Sequence, residues 1–219
     1  MKSEYVHYKD PTSSQIEAHL KGLEKCPGVC IFVDIVGSTN IKYIEPIEIW
    51  GKKLNNTFNF FSLLNDFPEH FVKGIGDELM LYIPDAELIN KNSIKDYYSL
   101  LEEIYATLDN IMNFPLDDLF YSCKVAIHYC QDVYNLTYFK GFNDYYGIDI
   151  DLSARLMSKA VANRIVLSEA FYKKVLADKN SEYHDRSSLC LRNVSDKYIE
   201  DFKGVPHPTE YRIINLMKL

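Results

Sequence analysis

No apolar run in the chain is long enough to span a bilayer. The most hydrophobic stretches, Val29–Val36 and Leu79–Ile83, fall far short of the ~20 residues a transmembrane helix needs. The N-terminus is polar and lacks the apolar segment of a signal peptide. These absences predict a soluble, cytoplasmic protein with no membrane partner. Positive charge is also scarce: 24 Lys and Arg stand against 31 Asp and Glu, for a net charge of −7. That balance argues against a general nucleic-acid binder, which needs a cationic face. A phosphate ligand would then depend on local cations or metals. Cysteine is sparse and odd in number, at positions 26, 30, 123, 130 and 190. Cys26 and Cys30 flank Pro27-Gly28, but no second pair at zinc-site spacing accompanies them. No zinc site and no disulfide is expected, and Cys123, on an apolar strand, reads as a reduced buried thiol. There is no internal repeat, no low-complexity tract and only one tryptophan, Trp50.

What is present suffices for a sizeable core. The 219 residues are 47% hydrophobic, enough for one large domain or two small ones. The 17 Tyr and 12 Phe most simply reflect core and interface. Residues 28–36 read as a buried strand led by β-branched types. The periodicity predicts helices over 14–25, over 43–66 with Pro46 near the start, and over 92–113. Two strands, His70–Lys73 and Asp77–Ile83, are joined by Gly-Ile-Gly as a hairpin whose turn holds Asp77. Further strands are expected at Ser122–Tyr129, with Leu136–Lys140 as its partner, at Arg164–Leu167 and at Glu210–Ile214. Helices are expected at Ser153–Ala160 and Glu169–Leu176. Segment 178–203 is poorly patterned. Helices alternating with strands and hairpins indicate an α+β sandwich with a mixed sheet.

Two phrases carry chemistry. In Phe32-Val33-Asp34-Ile35-Val36-Gly37-Ser38-Thr39 an apolar strand runs into an acid, and small residues follow. Gly37 lets backbone approach a phosphate, and Ser38 or Thr39 can cap the next helix. The Ile35 carbonyl offers a further oxygen. In Val72-Lys73-Gly74-Ile75-Gly76-Asp77-Glu78-Leu79-Met80 the acid sits at a glycine turn. Each alone is equally an ordinary turn. Together, two carboxylates beside apolar strands suit two oxygen-preferring cations, Mg²⁺ or Mn²⁺.

A third phrase, Tyr146-Gly147-Ile148-Asp149-Ile150-Asp151-Leu152-Ser153-Ala154-Arg155, completes an ordered set. The three phrases, over roughly residues 28 to 215, resemble the catalytic domain of class III nucleotide cyclases. The resemblance implies a class III cyclase-like α+β fold: a mixed, mostly antiparallel sheet with a ferredoxin-like core, flanked by helices. It places the catalytic domain over 28–219, which leaves 1–27, polar by composition, as a partly helical extension. It implies Asp34 and Asp77 as ligands of two divalent cations, to which the Ile35 carbonyl can add an oxygen, and Arg155 as the group that stabilises the α-phosphate in the transition state. Lys73 and Asp144 match the base-reading pair, and Lys203 more loosely matches a phosphate-contacting lysine. Gly37, Ser38 and Thr39 would lie against the phosphates. The resemblance also implies a homodimer, with metals on one chain and Lys73, Asp144, Asp151 and Arg155 on the other.

One departure concerns the sugar. The family has asparagine where this chain has Asp151, and an ionised aspartate only accepts hydrogen bonds. Asp151 either faces the ribose, turns toward Arg155 or simply sits at a solvated helix N-terminus, the reading adopted for Asp149. The Lys73–Asp144 pair suits adenine, yet lysine also suits a pyrimidine carbonyl. The expected absence of receptor or sensory domains, Asp151 and Trp50 make the chain look like the bacterial pyrimidine cyclases of anti-phage (Pycsar) defence. These form cyclic UMP or cyclic CMP for a separate effector. The expectation is therefore a uridylate or cytidylate cyclase, with adenylate cyclase the alternative and Trp50 a base reader or a packing residue. A non-catalytic nucleotide-binding module of the same fold would have lost a metal aspartate or the arginine. A diguanylate cyclase relative would carry Gly-Gly-(Asp/Glu)-Glu-Phe, which Gly74-Ile75-Gly76-Asp77-Glu78 is not. A pure interaction domain would leave the convergent acids unexplained.

Overall fold

The computed structural model describes residues 4–5, 12–62, 67–88, 96–113, 119–139, 141–179 and 189–216. In chain order the elements are β1 (Glu4–Tyr5), α1 (Ser13–Lys21), β2 (Gly28–Ile35), α2 (Ser38–Ile44), α3 (Ile47–Ser62), α4 (Phe67–His70), β3 (Phe71–Ile75), β4 (Glu78–Pro84), α5 (Asp85–Leu88), α6 (Tyr97–Asn113), β5 (Cys123–Cys130), β6 (Leu136–Thr137), α7 (Ile148–Met157), β7 (Arg164–Ser168), α8 (Glu169–Lys179), α9 (Leu189–Arg192), β8 (Tyr198–Glu200) and β9 (Thr209–Asn215). No helix among the described residues is long and apolar enough to cross a membrane.

A seven-stranded sheet runs in the order β3-β4-β2-β5-β7-β9-β8. All its pairings are antiparallel except β5 with β7. Its first four strands, with α2 and α3 after β2 and α6 after β4, form the ferredoxin-like βαββαβ core. The parallel β5–β7 pair needs a crossover, and α7 supplies it.

Strand β2 lies at the centre, and both its faces are covered. Val29, Ile31, Val33 and Ile35 enter one core with Leu101, Ile104 and Leu108 of α6 and Phe171 of α8. Cys30 and Phe32 enter a second core with Leu156 and Met157 of α7. Burial on both faces turns the usual alternation into a continuous apolar run. Asp34 is the one residue of β2 that is not fully buried. The core also takes Cys123, whose thiol is 0% exposed, and all five cysteines are free.

The element boundaries depart from expectation in instructive places. The expected helix over 43–66 is two helices, α2 and α3, parted at Glu45-Pro46; residues 63–66 lie outside those described. α2 begins directly after Gly37, whose left-handed backbone (φ 71°, ψ 18°) forms the cap, so Ser38 and Thr39 are its first residues and not its caps. The first expected helix stops at Lys21, with Gly22 as its C-cap, four residues before Lys25. Leu136–Thr137 does not pair with β5: it pairs parallel to β1, which the polar N-terminus brings to it. Lys140 is outside the described residues. α7 begins at Ile148 rather than Ser153. β8 and α9, within the poorly patterned segment, were not expected; residues 180–188 are outside those described. The start of the expected 92–113 helix, residues 92–95, is likewise outside them.

Candidate active site

The end of β2 delivers Asp34 to the rim of the sheet, opposite Glu78 of β4 and Lys124 of β5. The β3–β4 hairpin turns on Gly76 and Asp77. Gly76 has φ 68°, which a two-residue hairpin turn requires at its first position and a side chain would strain. The two turns bring Asp34, Ile35, Gly37, Ser38, Thr39 and Asp77 around one open pocket of about 520 Å³. Asn40, Ile75, Glu78 and Lys124 complete its wall.

Each aspartate has a lysine beside it. Lys124 Nζ donates to Asp34 Oδ2 at 2.8 Å, and Lys42 Nζ lies 3.6 Å from Asp77 Oδ1. Burial pushes the Asp77 carboxyl up, but the Ser38 hydroxyl and the Lys42 charge outweigh it and hold it below the usual range. Glu78 moves the other way: burial raises it, and the neighbouring Asp34 and Asp77 add to the rise. Lys124 is not legible in the sequence because its partner, Asp34, is remote in sequence. Its only local signal was a charge within the apolar run Cys123–Cys130.

Among the described residues, no group of three or more His, Cys, Asp and Glu side chains closes around one point. The donors instead line an open pocket. Such a set of hard carboxylate and carbonyl oxygens fits Mg²⁺ or Mn²⁺ whose other ligands are phosphate oxygens.

The base-reading candidates form a second group. Lys73 Nζ donates to both oxygens of Asp144, at 2.8 and 2.9 Å. A register shift between Phe71 and Lys73 marks a bulge in β3, which re-aims the lysine. Asp144 is 8% exposed and also accepts the Tyr145 amide at 2.8 Å. Its segment is fixed on both sides. Tyr145 stacks on Tyr82 of β4 with ring centroids 4.0 Å apart, and Tyr134 and Tyr146 form a two-bond bridge. The Lys73 ammonium also lies 5.7 Å from the Tyr146 ring centroid.

Asp151 and Arg155 lie on the exposed side of α7 and make no ion pair with each other. Asp149 is not a solvated helix-end acid. It turns inward, and its Oδ2 accepts the backbone amides of Gln131 at 2.6 Å and Asp132 at 2.7 Å. Lys203 is exposed in the turn closed by the Val205 amide and the Phe202 carbonyl at 3.0 Å. Trp50 packs partly buried against the core from α3, with the Lys42 ammonium 5.9 Å from its ring centroid. Lys73, Asp144, Asp151, Arg155, Lys203 and Trp50 do not line the Asp34–Asp77 pocket.

No curated protein matches the chain in sequence. Solved structures match it in fold. The guanylyl cyclase Cya2 superposes with a TM-score of 0.66 at 16% identity, over 88% of this chain and 93% of that one. The adenylyl cyclase CyaB from P. aeruginosa gives 0.61 at 17%, over 89% and 96%. The guanylate cyclase domain of RhGC from Catenaria anguillulae, in complex with GTP, gives 0.64 at 13%, over 89% and 100%. At such identities the likeness speaks for the fold alone. The family model for the adenylate and guanylate cyclase catalytic domain matches residues 23–202. With that match over most of its length, the chain belongs to the adenylate and guanylate cyclase catalytic domain family.

Proposed function

We propose that the chain is a metal-dependent nucleotide cyclase that converts a pyrimidine nucleoside triphosphate, UTP or CTP, to its 3′,5′-cyclic monophosphate and pyrophosphate. The observation that carries the reading is the meeting of Asp34 and Asp77 in one pocket with the Gly37–Thr39 backbone and Lys124. Two divalent cations held by Asp34, Asp77 and the Ile35 carbonyl would acidify the ribose 3′-hydroxyl and balance phosphate charge. The protein's own share is positioning and charge compensation. Gly37, Ser38 and Thr39 line the phosphate side, and Arg155 donates to the oxygens of the α-phosphate as charge builds there. Lys203 contacts the phosphates from its turn.

The active unit is a homodimer. This is supported by the separation of Lys73, Asp144 and Arg155 from the metal pocket, so that one chain supplies each half. Exposed apolar side chains, among them Tyr43, Ile44, Phe139, Phe142 and Ile148, give such a dimer its surface. The Lys73 ammonium can donate to a pyrimidine carbonyl while Asp144 accepts from the uracil N3–H or the cytosine amine. Asp151, in place of an asparagine, supports a sugar and base contact unlike that of purine cyclases. The product would act as a cytoplasmic anti-phage messenger read by a separate effector.

The test is incubation of the purified protein with Mn²⁺ and ATP, GTP, CTP or UTP in turn, with products identified by mass spectrometry. Cyclic UMP or cyclic CMP from the wild type and none from Asp77→Ala is the expected result. Cyclic AMP instead would assign the Lys73–Asp144 pair to adenine. Nucleotide binding without turnover would make the chain a binding module.

A further inference from the structure

Beneath α7 lies a group of side chains that the reaction does not touch. Asp149 Oδ2 accepts two backbone amides from the turn after β5, and Oδ1 lies 3.4 Å from His128 Nε2. His128 is 4% exposed, and neither ring nitrogen makes an aligned hydrogen bond. The imidazole faces the Asp149 carboxylate across this 3.4 Å gap. Two residues before Asp149, Gly147 packs on the same turn so closely that a Cβ would stand 2.0 Å from the Asp132 carbonyl oxygen. The Ser153 hydroxyl closes the first helical turn by donating to the Asp149 carbonyl at 2.7 Å.

A carboxylate in a first turn is ordinarily favoured by the helix's own free amides. Asp149 is aimed elsewhere, at the amides of a different element. It therefore ties α7 to the sheet rather than capping it. The same helix presents Asp151 and Arg155 outward, two and six residues further on.

We propose that Asp149 is a positioning residue: bound to the Gln131 and Asp132 amides and faced by His128, it sets the seat of α7 and so the place of Arg155 in the reaction. The link to Arg155 rests on the cyclase reading; the anchoring of α7 does not. A displacement of about 1 Å at a reacting group costs on the order of a hundredfold in rate, so a loosened α7 should be felt in turnover before binding.

The experiment compares Asp149→Ala and Asp149→Asn with wild type in two readouts. The first is steady-state turnover of whichever nucleotide the wild type cyclises. The second is amide hydrogen exchange over residues 131–133 and 147–157. The alanine variant should lose about tenfold to a hundredfold in kcat with KM changed less than about twofold, and α7 should exchange faster while β2 and β5 do not. Asparagine keeps an acceptor oxygen and should recover much of the loss. Unchanged exchange in α7, unchanged kcat, or equal losses in the two variants overturns the proposal. Should alanine fail to fold, the asparagine variant carries both readouts alone. A wild type that cyclises nothing would sink the cyclase reading, and exchange would still decide the anchor.

Discussion

Arg155 and Asp149 sit on one helix and show how differently two charges can be spent. Arg155 is exposed and, among the described residues, makes no ion pair, so its guanidinium is free for a ligand. Arg155→Ala should cost about 3 kcal/mol of transition-state stabilisation, roughly a hundredfold in kcat, with no change in melting temperature. Stopped turnover assays beside thermal melts would check both halves of that statement. Asp149 works for the fold. Burial alone would raise its carboxyl, but His128 and the two backbone amides outweigh burial and hold it down at about 2. A depressed carboxylate stabilises the folded state above its ordinary unfolded value, and that gain is lost as pH falls toward the folded value. Melting temperature should therefore fall between about pH 4 and pH 2 more steeply in the wild type than in Asp149→Asn. Parallel curves would refute the assignment. At this scale Asp34 and Asp77 were legible because strand end, glycine and acid are adjacent in sequence. Lys124 and the inward turn of Asp149 were not, because their partners lie across the fold.

Elements were legible where local pattern determines them. β2 is an apolar run because both faces are covered, and α6 buries Tyr98, Leu101, Ile104, Tyr105, Leu108 and Ile111 at the expected helical spacing. α7 starts five residues before the expected Ser153 because nothing in periodicity announces its first turn. Its position comes from contact, above all the approach of Gly147 to the Asp132–Val133 backbone. Gly147→Ala should therefore displace the N-terminus of α7 and reduce turnover at least tenfold, though alanine is the better helix former. Gly22→Ala, at the C-cap of α1 where a Cβ meets nothing nearer than 3.4 Å, is the fitting control. Equal activity in the two variants would count against the packing argument. β8 has three residues, two of them exposed, too little to leave a pattern. β6 was misassigned because its partner, β1, lies more than a hundred residues away.

At the scale of the whole molecule, Lys73, Asp144 and Arg155 do not line the Asp34–Asp77 pocket, and the proposed homodimer would join two half-sites from different protomers. Asp77→Ala should be inactive alone and Arg155→Ala should keep about a hundredth of wild-type activity, yet the two should complement when mixed and allowed to exchange. Random pairing makes half the dimers mixed, each with one intact site of two, so about a quarter of wild-type activity should return. No recovery at any ratio would place both halves of the reaction within one chain. The two lysines beside Asp34 and Asp77 bear on the molecule at rest. With Lys124 against Asp34 and Lys42 near Asp77, the clustered acids already have counterions of their own. Chelation should then silence the protein without melting it, leaving a dormant form that revives when cations return.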